Sequence, residues 1–321
     1  MEFSKNDLKV LAELVKDASR PERVLAKAAG VSRVTFRTKR TALEKQGVIR
    51  GYLPYVSNRA FNVSNAVMLA KFANSTTEEK ARATKAIAQR NPKSIARTRG
   101  DWDMLLVFPF RHNIEAGQKW KQMTVNMPFS KTNLMLSGKL LQRERLPYDM
   151  DEEEFSFDTK PAFQRGLRRE LTDDEVAILE DMADFPMDSI VKRLDRLEGS
   201  GESWRQRIVK LRKDGVLRGP CAWVDLRRLG YFRVHLLVSI NPYTHDFEKS
   251  LTALIDDIPQ VSYTEALSGA YSLRLSLIVK NPDELFGSLA RLDGFWGKKK
   301  VDSVLLWEEY ESVRRSVPKF K

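Results

Sequence analysis

The stretch Ser32–Val56, SRVTFRTKRTALEKQGVIRGYLPYV, returns in altered form at Ser200–Val224 as SGESWRQRIVKLRKDGVLRGPCAWV. Leu43 and Leu211, Gly47 and Gly215, and Gly51 and Gly219 all keep one offset of 168 residues. Over the twenty positions Ser32–Gly51, eight are identical in the second stretch, and Phe36/Trp204 and Ile49/Leu217 exchange like for like. A fixed-offset match with shared chemistry is the mark of a duplicated unit.

Around the first stretch, Leu8, Leu11, Leu14 and Val15 fall on one face of a helix. A second short helix follows, with Pro21 in its first turn and Gly30 available for a left-handed exit. Ser32 then caps a third helix running to about Gln46, with Phe36 and Leu43 on its inner face and Arg33, Arg37, Thr38 and Thr41 on the other. Two short helices, a tight turn and a longer basic helix predict a helix-turn-helix, because the N-terminal half of a groove-entering helix needs small or forked polar groups. After Gly47 the chain runs extended through Val48, Ile49, Tyr52 and Val56. A strand pair here would be a wing, from which Arg50, and Arg218 in the second copy, would reach phosphates.

Past Asn62 the period changes. NAVMLAKF, SIARTR, MLLVFPF and TNLMLSGKLL read as strands, and STTEEKARATKAIAQR (with a capping box of Ser75 and Glu78) and NIEAGQKWKQMTVNM as helices. Their order, βαββαβ, is the ferredoxin-like split, with a hairpin at Gly100–Asp103. The sheet face away from the helices is apolar too, and needs a cover, most simply a second such sheet. The second half repeats the plan with Thr172/Glu175 as a capping box, FRVHLLVSI, VSYTEALSG, YSLRLSLIV and DSVLLWEEYE as strands, Asn281 as an N-cap, and Gly269 at the site of Gly100.

The fold class expected is α+β. Two winged helix-turn-helix domains (1–60 and 171–228) alternate with two ferredoxin-like domains for effector binding and dimerisation (61–146 and 229–321), joined by a linker at 147–170.

Lys and Arg number 55 against 43 Asp and Glu, a net charge of +12. The surplus favours a polyanionic partner such as double-stranded DNA. One cysteine, Cys221, excludes an intrachain disulfide framework and a cysteine-rich zinc site. No run of about 18 apolar residues occurs, so a soluble cytoplasmic protein with no membrane partner is expected. His112, His235 and His245 are scattered, with His235 read as a packed or paired side chain inside a strand. No HExxH, GxSxG or P-loop pattern is present, and no catalytic residue, metal or cofactor is expected.

The segment LEKQGVIRGY at Leu43–Tyr52, the Leu229-Gly230 pair, GDWD at Gly100–Asp103 and GAYS at Gly269–Ser272 together resemble the Lrp/AsnC family of transcriptional regulators. The resemblance covers nearly the whole chain, twice over. It implies a DNA-binding regulator, not an enzyme, that pairs through its ferredoxin-like sheets as a homo-oligomer or an intrachain pseudo-dimer. It also implies clefts for an amino acid or similar effector, with Gly100, Asp101, Asp103 and Gly269 marking the loops. Carried over by motif, Ser32, Arg33, Arg37, Thr38 and Thr41 face the groove in the first copy, and Ser200, Gly201, Arg205, Gln206 and Val209 in the second. Arg40 departs from the family's Ile and must reach solvent or an acid. Glu202 would repel phosphate, so the two heads should differ.

Two other readings share this architecture. One is a sirohaem-decarboxylase-like tetrapyrrole enzyme, a family that looks to His and Arg on strands around the hairpin. VSYTEALSG and SIARTRG hold no histidine, which argues against it. The other is an effector-binding assembly module with weak DNA heads.

Overall fold

The computed structural model describes residues 3–57, 62–142, 171–197, 199–296 and 300–314. The expected linker at 147–170 and the side chain of Arg218 lie outside the described residues. The chain is α+β, with one element order written twice. The first run is α1 (Lys5–Asp17), α2 (Glu22–Ala28), α3 (Arg33–Lys45), β1 (Ile49–Val56), β2 (Ser64–Phe72), α4 (Thr77–Ala88), β3 (Ser94–Arg99), β4 (Met104–Phe110), α5 (Asn113–Thr124) and β5 (Phe129–Gln142). The second is α6 (Asp173–Asp184), α7 (Ile190–Leu194), α8 (Gly201–Lys213), β6 (Leu217–Val224), β7 (Phe232–Asn241), α9 (His245–Asp256), β8 (Val261–Ser268), β9 (Leu273–Val279), α10 (Pro282–Trp296) and β10 (Lys300–Arg314).

Two compact units result: α1–α3 and β1 with α6–α8 and β6 form one, and the remaining strands and helices the other. In the first unit, hydroxyl caps start the helices as the sequence predicts. Ser32 accepts from Thr35 N, Ser200 from Ser203 N, and Thr172 forms a capping box with Glu175. Phe36 and Leu43 are buried in the first head and Trp204 and Leu211 in the second, so the opposite faces of α3 and α8 stand outward. A buried acid secures each entry turn: Glu13 takes Lys16 and Arg20, and Asp181 takes Arg193 and Arg196. Burial pushes the Glu13 carboxyl up, but those two cations bring it below the usual range.

The wing differs from expectation. β1 does not fold back on a strand of its own copy; it pairs antiparallel with β6, from Ile49 opposite Val224 to Val56 opposite Leu217. Each copy supplies one extended run here, and the other copy's run satisfies its ladder groups. Ala18 N donates to Pro220 O at 2.7 Å, and Gly219 lies so close to Asp17 that an added Cβ would overlap the carboxylate.

In the second unit the two sheets have the ferredoxin order, β5-β2-β4-β3 and β10-β7-β9-β8. The capping box of α4 is Thr76 with Glu79, one residue beyond the expected pair. Met68, Ala70, Met104 and Leu106 pack under α4 and α5 with Ile87 and Met123. Leu236, Val238, Leu273 and Leu275 pack under α9 and α10 with Leu251, Ile255, Leu285 and Leu292. The edges then join, β5 to β8 and β10 to β3, and the sheets close into a barrel. Inside it meet Val67, Leu69, Leu105, Met135, Leu237, Leu306 and Trp102. Here is the cover that the apolar second face required; each such fully buried Val or Leu contributes roughly 1.5–3 kcal/mol.

Candidate functional site

Alternation along a strand sends successive side chains to opposite faces. In β7, Val234, Leu236 and Val238 therefore meet the helices, and Arg233, His235 and Leu237 turn into the barrel. By the same parity Tyr263, Glu265 and Leu267 of β8, Arg274 and Ser276 of β9, and Leu306 and Glu308 of β10 face inward. His235 Nδ1 lies 2.8 Å from Ser276 Oγ and Nε2 3.1 Å from Glu308 Oε2. Arg233 lies 3.8 Å from the same Glu308 oxygen. Arg274 sits 2.6 Å from Glu265 Oε1 and its guanidinium 5.0 Å from the Tyr263 ring centroid. The second Glu265 oxygen accepts from the Tyr263 hydroxyl at 2.9 Å and from Ser137 of β5 at 2.6 Å.

These groups are buried, and burial sets their charge states. His235 is held below its ordinary value by desolvation, although Glu308 pulls the other way, so its ring is neutral near pH 7. A carboxylate only accepts, so Nε2 carries the proton and Nδ1 accepts from Ser276. Burial would lower the Arg274 guanidinium, but Glu265 and Tyr263 more than offset it and hold it charged. Burial also raises the Tyr263 phenol well above its usual range. The Arg274–Glu265 contact is an ion pair without hydrogen-bond alignment, and Arg274 Nε has no hydrogen-bond partner among the described residues.

The first half does not repeat this network. Val67 faces Val107 as His235 faces Ser276, and Ala96 faces Leu105 as Glu265 faces Arg274. All four are apolar and buried.

The residues expected to meet DNA stand on the heads. Ser32, Arg33, Arg37, Thr38, Thr41 and Arg50 are exposed, as are Ser200, Arg205, Gln206 and Val209, with Gly201 half-buried. Their cations are engaged within the protein: Glu22 of α2 takes Arg33 at 2.8 Å and Arg37 at 3.0 Å, which draws its carboxyl below the usual range. Glu202 takes Arg205 at 3.0 Å and Gln206 at 3.2 Å. Arg50 stacks 4.1 Å from the Trp223 ring centroid. Arg40 finds its acid in Glu44 at 2.9 Å, beside the Tyr52 hydroxyl that donates to the same oxygen.

The hairpin loops pack closely against neighbouring strands. Trp102 plugs the barrel interior, Asp103 accepts from Phe72 N at 2.8 Å, and Asp101 is exposed. Gly100 has φ +129°, and a Cβ there would lie 2.6 Å from Leu305 O. Gly269 has φ +148° and sits against Leu134 and Met135. Both glycines thus have a steric reason to be where they are.

Sequence reasoning named none of Arg233, Tyr263, Glu265, Arg274, Ser276, Glu308 or Ser137. Their signal was charge at alternate positions of otherwise apolar strands, as in FRVHLLVSI and LRLSLIV.

Neither a scan of protein-family models nor a search of curated proteins finds a match. Among solved structures, sirohaem decarboxylase NirDL matches at 17% identity with a TM-score of 0.61, over 99% of this chain and 95% of its own. A second structure of NirDL, in complex with an iron-uroporphyrin III analogue, matches at 16% identity with a TM-score of 0.60 and the same coverage. An AsnC family transcriptional regulator from Agrobacterium tumefaciens matches at 21% identity, over 46% of this chain and 98% of its own, with a TM-score of 0.42. The likeness is one of fold. It overturns the expectation that the chain is not an enzyme, since the architecture matched along the full length is that of one. His235 stands on β7, not on the hairpin strands, and barrel closure brings it into the shared interior.

Among the described residues no helix is long and apolar enough to cross a membrane.

Proposed function

We propose that this chain is an enzyme that removes carboxylate groups as CO2 from a sirohaem-class tetrapyrrole, with the barrel-lining network of the second half as its centre. The observation that carries the reading is Arg274: a buried, charged guanidinium beside His235's network, with Nε unspent. A planar guanidinium suits a carboxylate, and a sirohaem-class macrocycle carries several on its rim. The NirDL architecture, matched end to end, supports the same substrate class.

The chemistry asks little. Loss of CO2 breaks one C–C bond and leaves the electron pair on the side-chain carbon, which then takes one proton; nothing is oxidised or reduced. Arg274 and Arg233 would hold carboxylates, and His235, neutral at rest between Ser276 and Glu308, would first take a proton from solvent on Nδ1 and then pass it to that carbon. The macrocycle is substrate here.

The test is incubation of the full chain with sirohaem under anaerobic conditions, followed by mass spectrometry of the tetrapyrrole. Successive CO2 losses, abolished in His235→Gln, are expected. An unchanged tetrapyrrole mass with no absorbance change on mixing would remove the proposal.

A second reading, binding of duplex DNA by the head pair, is favoured by one observation. Arg33, Arg37, Thr38 and Thr41 share the outward face of α3 while Phe36 is buried behind them.

A further inference from the structure

A chain that writes its barrel-forming sheet twice could hold two equivalent centres. We infer that it holds one: the second half alone builds a carboxylate-binding centre, and the first half is its scaffold, contributing Ser137 as a positioning residue. This deepens the proposed function and rests on it.

The strand register makes the comparison position by position. Where the second half places His235, Ser276, Glu265 and Arg274, the first places Val67, Val107, Ala96 and Leu105. Where the second has Leu306 opposite His235, the first has Met135 opposite Val67, and two residues on, Glu308 corresponds to Ser137. The first half therefore turns no cation inward at any of these positions, and the space is taken by Trp102, Leu105 and Met135. A carboxylate brought there would be buried without a partner, at a cost of several kcal/mol.

Ser137 lies on the inner face of β5 and reaches across the β5–β8 seam to Glu265 Oε2 at 2.6 Å. That oxygen also takes the Tyr263 hydroxyl, so two donors fix the Glu265 carboxylate, and through it the plane of Arg274. Ser137 does not act on a substrate; it acts through Glu265. The two halves thereby divide labour, one supplying charges and the other a largely apolar wall with Ser137 as the brace on Glu265.

The experiment is an absorbance titration of the full-length chain with iron-uroporphyrin III. One equivalent per chain is expected. Arg274→Gln should weaken it by tenfold or more and Ser137→Ala by about threefold to tenfold, the range of one lost hydrogen bond. Ser137→Thr, which keeps the hydroxyl, should restore most of that loss, a rescue that a merely structural serine would not show in the titration. Two equivalents per chain would overturn the inference while leaving the proposed activity intact. One equivalent unaffected by Arg274→Gln would place the centre elsewhere and overturn it as well. No binding at all would remove both. Should Arg274→Gln fail to fold, the wild-type stoichiometry and the Ser137 pair still decide.

Discussion

Replacing Arg274 by Met strands a carboxylate inside the barrel. Glu265 is only 2% exposed and Arg274 9%, so neither charge can turn to water. With the guanidinium gone, Glu265 keeps the Ser137 and Tyr263 hydroxyls as donors but loses its counter-charge. Breaking a buried pair from one side costs about 3–5 kcal/mol. Glu265→Leu alone should cost a similar amount, because it strands Arg274. Were the two effects independent, the double variant would lose roughly 6–10 kcal/mol, enough to unfold most domains. The first half shows why it should not. Ala96 and Leu105 fill the corresponding cross-strand pair, and both are buried without strain on any charge. Glu265→Leu with Arg274→Met should therefore lose only about 1–3 kcal/mol, the cost of leaving two hydroxyls without their acceptor. Urea denaturation followed by circular dichroism gives each free energy by linear extrapolation, and the porphyrin titration gives binding for the same samples. Stability recovered with binding still absent is the expected pattern, because a packed apolar pair serves the core at least as well as a buried ion pair. Additive losses in the double variant would show that Glu265 and Arg274 do not act as a pair. Binding retained in it would refute the assignment of Arg274 to the ligand.

Three further outcomes are expected. His235 is held neutral below its ordinary 6.5, so the unfolded chain binds a proton that the native chain does not; stability is complete above that pH and falls on acidification by up to about 1.4 kcal/mol per unit. His235→Gln should remove that component, and identical pH slopes for the two proteins in urea melts would contradict the burial argument. Gly100→Ala combines a left-handed φ with a Cβ 2.6 Å from a carbonyl, whereas Gly230 has φ +81° with nothing within 4 Å; the first should cost more than about 3 kcal/mol and Gly230→Ala about 1, and a reversed order of melting temperatures would discredit the close approach. For the heads, log affinity for duplex DNA should fall linearly with log salt, and Arg37→Ala should flatten that slope by about one unit. Arg205→Ala should change it less, because Glu202 is matched to Arg205 alone while one carboxylate, Glu22, is shared between Arg33 and Arg37; a salt-independent titration would dismiss the DNA reading.

The parts of the fold that were legible are those written locally. Ser32, Thr172 and Asn281 mark helix starts because a short oxygen side chain meets backbone N–H groups three residues on. The βαββαβ order follows from a change of period that needs no knowledge of partners. Pairings between distant strands have no such local mark. Nothing in VIRGY announces that β1 will take β6, or in TNLMLSGKLL that β5 will take β8, because the register of a strand is set by what lies beside it.

The site was hidden for the same reason. Arg233, His235 and Arg274 alternate with valines and leucines, and polar residues at alternate positions ordinarily mean the wet side of a half-covered sheet. Only closure of two sheets turns that side into an interior and converts an unremarkable arginine into a buried one. The repeated stretch nevertheless carries a usable signal in the sequence itself. Copies related by a fixed offset fold over the same frame, so a position that is apolar in one and ionisable in the other is not ionisable for the sake of the frame. Val67 against His235 is such a position at the offset of 168 itself. Burying ionisable groups where the sister copy holds valine, alanine and leucine runs against stability, and buried groups with perturbed pKa values in one place mark a candidate functional site.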